Sequence, residues 1–558
     1  MKLTLGVFAG AARALHPKLL ADTVGVQSLN QKPGRGDFQP WRQPLAVATV
    51  PATRQTIYRM GRDVKSDANY WLTWSTRVHA VRGFDSQDTT ERTYYTGDGF
   101  PKWTDNTMAL GAGPMPVAWR QLGVPAPVSA PILAASGGVS TSTESRYVVY
   151  TFVTDKGEES AQSAISLECV CKKDATLAIS NIEAPPSGSF VINRVRIYVT
   201  VSGDRGDTEF FFLREIAAGV TSTTDDLRAR GRVLETANWL MPPADLKHLT
   251  GLWAGMLAGV SAGAFRFCVP EVPYAWPIAN EILPPDAFAL AIGTWGQKML
   301  GLTTGRPLLI TGSSPDSMDS LPIEGQACVA PAAAVSFGHG VAWPGEDGLS
   351  YIGDAGAKLL TDGLLTRDDW QAMHPATMVA GEYEGAYLCF YTEGEGGAAV
   401  RRGFLLDPLN PAGIFFLDKG YDACWFDKLQ DCLYVLDGTD VKKWDAGTAL
   451  MTAVFRSKEF VTGYVNFAWA KVTADSYPVT LKIDAGPFTS DQIDALVAYR
   501  PDVLSKPGGD KVRATLTATG EDAFPLPAGF TAPECQLQVE TTGAVQAVVL
   551  ATSVGETV

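Results

Sequence analysis

The sequence is poor in the residues that most chemistry needs. Histidine occurs five times in 558 residues, at His16, His79, His248, His339 and His374. That dispersion supports neither a three-histidine metal site nor a Ser-His-Asp set. A Gly-x-Ser-x-Gly elbow, a Walker loop and a dinucleotide fingerprint are also missing. No apolar run approaches the ~18–20 residues that span a bilayer as a helix. The opening segment, LTLGVFAGAARAL, has the small residues of a secretion signal, but Arg13 interrupts it early. These absences point away from enzyme motifs and membrane insertion, toward a soluble protein made in a cytoplasm, with no cofactor.

Cysteine is present but unpatterned. The eight residues (Cys169, Cys171, Cys268, Cys328, Cys389, Cys424, Cys432, Cys535) mostly sit inside apolar runs such as FRFCV, YLCFY and DCLYV. They read as small buried hydrophobes in a reducing compartment. Cys169 and Cys171 share one face of a strand, yet no second Cys/His pair stands at metal-ligand spacing, so no metal is expected.

What is abundant is punctuation. With 55 glycines and 35 prolines, 46% hydrophobic residues and few Ala/Glu/Lys/Leu-rich stretches, turns are frequent and helices scarce. This is the composition of an all-β sandwich or propeller protein. The formal charge of −14 disfavours broad capture of nucleic acid. Its distribution is uneven: residues 1–65 carry ten Lys/Arg against three Asp, whereas residues 281–450 carry 23 Asp/Glu against 10 Lys/Arg. A basic N-terminus suggests docking on an acidic partner, with Arg13, Lys18, Lys32, Arg35 and Arg42 as the candidate contacts. An acidic wall could face passing DNA without holding it; Glu346, Asp347, Asp354, Glu393 and Glu395 are the candidate lining residues. The blander reading of both is a solvated arm and a soluble surface.

Leu249–Gly312 sets the organisation. It contains two apolar hairpins, Gly255–Val260 with Ala264–Val269 and Lys298–Leu302 with Pro307–Thr311, each turning at Gly with Ser or Thr. Related hairpins begin at Met256, Met299, Val341, Tyr387 and Cys432, at intervals of 43, 42, 46 and 45 residues. A period of ~40–50 residues with about four strands each is that of propeller blades, because one blade cannot bury its faces alone. Small residues in these runs would let neighbouring blades pack closely.

The remaining segments are assigned around that series. Residues 1–50 read as an extended docking arm, ordered by a neighbour and dispensable to the fold, with Arg35-Gly36-Asp37 in a turn. Residues 51–127 supply the first blade or blades. Residues 128–237 read as an inserted fibronectin- or immunoglobulin-like sandwich, with strands paired around Asp155-Lys156-Gly157 and around Ser202-Gly203-Asp204-Arg205-Gly206. The main blades occupy 238–450. Residues 451–558 close the ring and add a C-terminal β domain, with a short helix at Asp491–Ala498.

One chemical alternative survives. Paired carboxylates at Glu346-Asp347, Asp368-Asp369 and Glu393/Glu395 could serve glycoside hydrolysis if two of them stood ~5–10 Å apart. Adjacent acids in Gly-rich turns are more often solvated tips. A propeller glycan hydrolase or depolymerase, or a host-binding adhesin using the sandwich, is therefore the competing functional class.

A series of phrases carries a resemblance. LLADTVGVQSLNQKPGRGDFQPWRQP, TIYRM, YWLTW, RTYYTGDGFPKWT and QLGVPAPVSAP come first, then RVRIYVT, FLREIAAG and TTDD. MPPADLKHLTGLWAGMLAG, VPEVPYAWP, LTTGRPLLITGSSPDSM, QACVAPAAAVSFGHGVAWPGEDGLSYI and FRSKEFVTGYVNFAWAKV continue the order. The chain resembles the tail nozzle (tail tubular, or head-completion) proteins of short-tailed bacteriophages. It departs at Val269-Pro270-Glu271-Val272, where that family often has a Ser-Glu-Pro-Tyr-like phrase. The resemblance implies a β-propeller protomer, six copies forming a ring beneath the head-to-tail adaptor in the virion tail. Such a ring helps retain the genome and then conducts it during ejection. Implied partners are other copies of the chain, the adaptor, fibre, spike or needle proteins, and double-stranded DNA in passage, without stable membrane insertion. No catalytic residue is implied.

Overall fold

The computed structural model describes residues 1–61, 66–200, 209–226, 230–527 and 531–557. The protein is all-β, with two short α-helices, Arg367–Ala372 and Ser490–Tyr499, among the described residues. The chain divides into two compact units, one built mainly of Met1–Ile57 and Glu324–Val558, the other mainly of Tyr70–Ile323.

The central unit holds three four-stranded antiparallel meanders. The first is His79–Arg82, Thr93–Thr96, Lys102–Thr104 and Arg120–Gln121; the second is Lys247–Gly251, Leu257–Ser261, Ala264–Phe267 and Glu281–Ile282. The third is Ala289–Trp295, Lys298–Thr303, Leu308–Thr311 and Asp319–Pro322. The inner strand Leu257–Ser261 is buried at every position, and Leu257–Val260 is apolar throughout instead of alternating. The expected role of small residues is visible at one contact. A Cβ on Gly301, in the third meander, would lie 2.5 Å from the ring of Phe265 in the second. Glycine is what admits that ring between the sheets.

Between the first two meanders the chain forms the inserted module: Ile132–Ser136 with Thr176–Ser180 and Thr223–Asp225, Thr143–Arg146 with Cys169–Lys172, and Val148–Thr154 with Ile192–Thr200 and Phe210–Ala217. Cys171 is buried and Val170 exposed, the alternation expected of that strand. The turn read at Ser202–Gly206 lies outside the described residues. The segment after Asp155-Lys156-Gly157 differs from the expected ladder strand. Ser160, Ser163 and Ser166, three apart, donate their N–H groups to the carbonyls of Phe152, Tyr150 and Val148. Their hydroxyls accept from the N–H groups of those same residues. Serine hydroxyls thus cap a strand edge that would otherwise offer unpaired donors.

In the other unit the fourth meander is Val335–Phe337, Gly340–Pro344, Leu349–Gly353 and Gly356–Leu359. The fifth, Val379–Tyr383, Ala386–Glu393, Val400–Leu406 and Phe415–Leu417, continues through Gln27–Leu29 into the C-terminal strands to make a ten-stranded sheet. The sixth has Ala423–Asp427, Cys432–Asp437 and Asp440–Lys443, and its fourth strand is Leu45–Thr49 from the N-terminal segment. The fourth strand of this sheet therefore comes from the start of the chain. An open sheet edge needs a partner, and strand pairing has no memory of sequence distance.

Residues 1–50 find their ordering neighbour in their own chain. Lys2–Leu5 pairs antiparallel with Val548–Ala551. Leu3, Leu5, Phe8 and Phe38 belong to the core of the C-terminal strands, and Phe8 meets Phe455 edge-on at 5.0 Å. Trp41 packs edge-on against Tyr383 at 5.5 Å and Trp444 at 5.4 Å. The segment is extended, as its prolines require, but it is core and not dispensable. Arg35-Gly36-Asp37 is the tip between Gln31–Lys32 and Gln39–Pro40, which pair with each other.

Candidate functional site

The acids proposed from sequence are distributed over hairpin tips. Glu346 and Asp347 occupy the turn between the second and third strands of the fourth meander, and both are exposed. Asp347 is ion-paired to Arg367 at 2.9 Å and accepts from Gln326 Nε2 at 3.2 Å. Asp354 lies in the next turn of the same meander; successive turns of a meander lie at opposite ends, so it does not share a surface with Glu346 and Asp347. Glu393 and Glu395 are exposed at the corresponding tip of the fifth meander, Glu393 pairing with Arg402 at 3.1 Å. Asp368 and Asp369 are not a loop pair. They form the first turn of the helix Arg367–Ala372, and Asp369 completes a capping box with Thr366. The helix start also places Arg367 against Asp347 of the neighbouring turn.

The candidate docking cations divide in two. Arg13 lies 4.4 Å from the centroid of Phe416, Lys18 pairs with Glu534 at 2.5 Å, and Lys32 pairs with Asp445 at 2.5 Å. These three are engaged within the chain. Arg35 and Arg42 present exposed side chains. Beside the Arg35 turn is a hollow of about 570 Å3, lined by Val7, Pro33, Tyr383, Leu409 and Phe415 among others.

The histidines form no reactive set. His79 and His248 face each other with ring centroids 4.3 Å apart, and His339 Nδ1 lies 2.7 Å from the Tyr351 hydroxyl. Desolvation pulls His79 down to about 4, aided by Arg77, and His248 down to about 3, aided by His79 and Lys247. Both are neutral at pH 7. None of the eight cysteines is in a disulfide, and burial pushes the Cys268, Cys328 and Cys535 thiols up to about 12. Among the described residues no group of three or more His, Cys, Asp or Glu could hold a metal ion, and no helix is long and apolar enough to cross a membrane.

The most developed site lies in the central unit and was not anticipated. It is a cavity of about 840 Å3 between the first two meanders and the inserted module. Its floor comes from alternate positions of the first meander: Arg92, Tyr94 on the second strand and Trp103 on the third, followed by Asp105. Arg92 forms an ion pair with Glu158 of the module and stacks its guanidinium 3.8 Å from the centroid of Trp103. Burial alone would lower the Arg92 pKa, but Glu158, together with Tyr94 and Asp105, raises it. The joining loop contributes Phe84, Asp85 and Asp88. Burial would raise the pKa of Asp88, but hydrogen bonds from the Thr90 hydroxyl and the N–H groups of Arg92 and Thr90 hold it below the usual range. Asp105 accepts from the N–H and hydroxyl of Thr107 through one oxygen, at 2.9 and 2.5 Å. Lys156 enters from the module turn, and Glu271 and Tyr274 follow the third strand of the second meander.

The Glu271 carboxylate and Lys156 ammonium, both exposed, and the Tyr94 hydroxyl make no hydrogen bond or ion pair among the described residues, and Arg92 Nε is buried without a partner. Tyr94 is only 4% exposed, and burial pushes it up to about 12. Glu271 has φ 62, a left-handed conformation uncommon for a residue with a Cβ. Sequence reasoning singled out none of these groups for a site, because the walls come from segments far apart in the chain.

No family model matches the chain, and no curated protein matches it. Solved structures with some likeness include the extracellular domain of a protein described as a one-component system from B. thetaiotaomicron. It is 8% identical, with TM-score 0.24, over 78% of this chain and 43% of that one. Another is an exo-β-1,3-galactanase from Phanerochaete chrysosporium, 8% identical, TM-score 0.15, over 64% of this chain and 93% of that one. A third, named a glycoside hydrolase, is 8% identical with TM-score 0.20, over 64% of this chain and 94% of that one. The chain spans under half the length of the B. thetaiotaomicron domain. At such scores these likenesses carry no argument about activity.

Proposed function

We propose that this chain is a structural, ring-forming component of a bacteriophage tail, the nozzle that continues the DNA channel below the head-to-tail adaptor. The observation that carries the reading is the set of six four-stranded meanders among the described residues, three in each unit, the sixth completed by Leu45–Thr49. The second to the sixth recur at the propeller period, the first being set off by the inserted module, and all lie among the phrases that resemble the nozzle family. Arg35 and Arg42, exposed beside a hollow lined partly by the N-terminal segment, are the docking contacts on this reading. The acidic hairpin tips at Asp347 and Glu393 repel phosphate, and so suit a wall along which DNA slides.

Electron microscopy or native mass spectrometry of the full chain with its adaptor tests the proposal. A closed ring of six is expected; a persistent monomer without adaptor affinity overturns it. Arg35→Glu with Arg42→Glu should weaken assembly with an unchanged thermal midpoint, and undiminished assembly refutes their role. Deleting residues 1–40 cannot serve as this test, because it removes Leu3, Leu5, Phe8 and Phe38 from the core. On the carbohydrate reading Asp369 is taken up by the helix cap, and the observation that favours that reading is the cavity of the central unit.

A further inference from the structure

We infer that the cavity between the first two meanders and the inserted module binds a neutral, hydroxyl-rich ligand, a short oligosaccharide segment, held by Glu271, Lys156 and Tyr94 against the aromatic wall of Phe84 and Tyr274.

The volume, about 840 Å3, lies within the ~300–1,000 Å3 usual for ligand sites. The polar groups select the chemistry. A phosphate or nucleotide would meet Asp85, Asp88, Asp105 and Glu271 in the wall. A metal ion lacks a ligand set, since no cluster of three donors exists among the described residues. An apolar ligand would leave the buried Nε of Arg92 without a partner, at about 1–3 kcal/mol, and would strip water from the Tyr94 hydroxyl.

A sugar matches what remains. Its hydroxyls donate to the Glu271 carboxylate and accept from the Lys156 ammonium, so one uncharged ligand satisfies two opposite charges. The Tyr94 hydroxyl, on a side chain that is 4% exposed, lies in the cavity lining, and the buried Nε of Arg92 beside it has no partner. Phe84 is 37% exposed, which leaves its ring accessible to the C–H face of a pyranose. The rest of the wall is already fixed: Arg92 is held by Glu158 and Trp103, and Asp88 by the N–H groups of its own loop. These are preorganised supports that need not move on binding. The inference is one of binding, and no bond is broken in it. It does not depend on ring assembly.

Saturation-transfer NMR and calorimetry on the full chain, with neutral gluco-, galacto- and manno-configured oligomers of four to six sugars, test it. At least one series is expected to bind, and Glu271→Gln, Lys156→Met and Phe84→Ala should each weaken it by about tenfold, the effect of one good polar or stacking contact. Tyr94→Phe should weaken it less, and Glu346→Gln, at an exposed tip elsewhere, should leave it unchanged. Lys156 and Phe84 are exposed enough that their variants fold regardless. No transfer to any oligomer at millimolar concentration overturns the proposal. So does binding that survives all four cavity substitutions, or tighter binding of spermidine than of any sugar.

Discussion

Acidic residues collect in two places in this protein, and the two behave as opposites. At the tips of the fourth and fifth meanders Glu346, Asp347, Glu393 and Glu395 are exposed, and their ion pairs with Arg367 and Arg402 are open to water. In the cavity of the central unit Glu158 is buried against Arg92, which in turn lies on Trp103. The same residue type is a surface charge in one place and a structural strut in the other. Solvent makes the difference: an exposed pair contributes about 0–1 kcal/mol, whereas removing one member of a buried pair costs about 3–5 kcal/mol.

The sharpest way to break this comparison is to remove the cation from each place. Arg92→Met should lower the unfolding free energy by about 3–5 kcal/mol, because Glu158 is left buried and unpaired. Arg367→Met should change it by no more than about 1 kcal/mol. Urea unfolding followed by tryptophan fluorescence measures both; equal effects would erase the distinction.

A smaller effect comes from pH. His79 and His248 titrate in the folded state at about 4 and about 3, below the ordinary histidine value of 6.5. The unfolded chain therefore binds more protons than the folded one below pH 6.5. Stability is at full strength above pH 6.5 and declines as pH falls toward 4, by an amount on the order of a few kcal/mol. His79→Gln with His248→Asn should flatten that slope in thermal melts from pH 7 to 4.5; an unchanged slope would assign the acid sensitivity elsewhere. The smallest effect is expected at the tips, where Glu346→Gln with Glu393→Gln should alter stability by no more than about 0.5 kcal/mol.

Local patterns were legible wherever a strand's partner is its neighbour in sequence. Met299, Val341, Tyr387 and Cys432 each fall in the second strand of a meander, and Met256 immediately precedes one. The helix expected at Asp491–Ala498 is Ser490–Tyr499, with Thr489 and Gln492 forming its capping box. The helix Arg367–Ala372 was missed because six residues do not establish a period, although Thr366 and Asp369 already stood at capping-box spacing. The spaced serines after Gly157 were also in view, but what they cap is an edge 8 to 18 residues back.

Among the docking cations, Arg13, Lys18 and Lys32 look no different in sequence from Arg35 and Arg42. Phe416, Glu534 and Asp445, the groups that engage the first three, come from the far end of the chain. Glu271 gave no signal either, since its role depends on a module turn more than 100 residues earlier.

The amino-acid order alone was enough to establish an all-β chain, the period of most of its meanders and the burial of six of its eight cysteines, Cys169 and Cys424 being half-buried, because turn chemistry and hydrophobic period act over a few residues. Tertiary structure decided the rest. It placed Leu45–Thr49 beside Asp440–Lys443, set Phe8 against Phe455, and assembled a cavity from three distant segments. The physical reason is that a sheet edge, an aromatic face and a buried charge each require a partner, and the chain satisfies them by proximity in space.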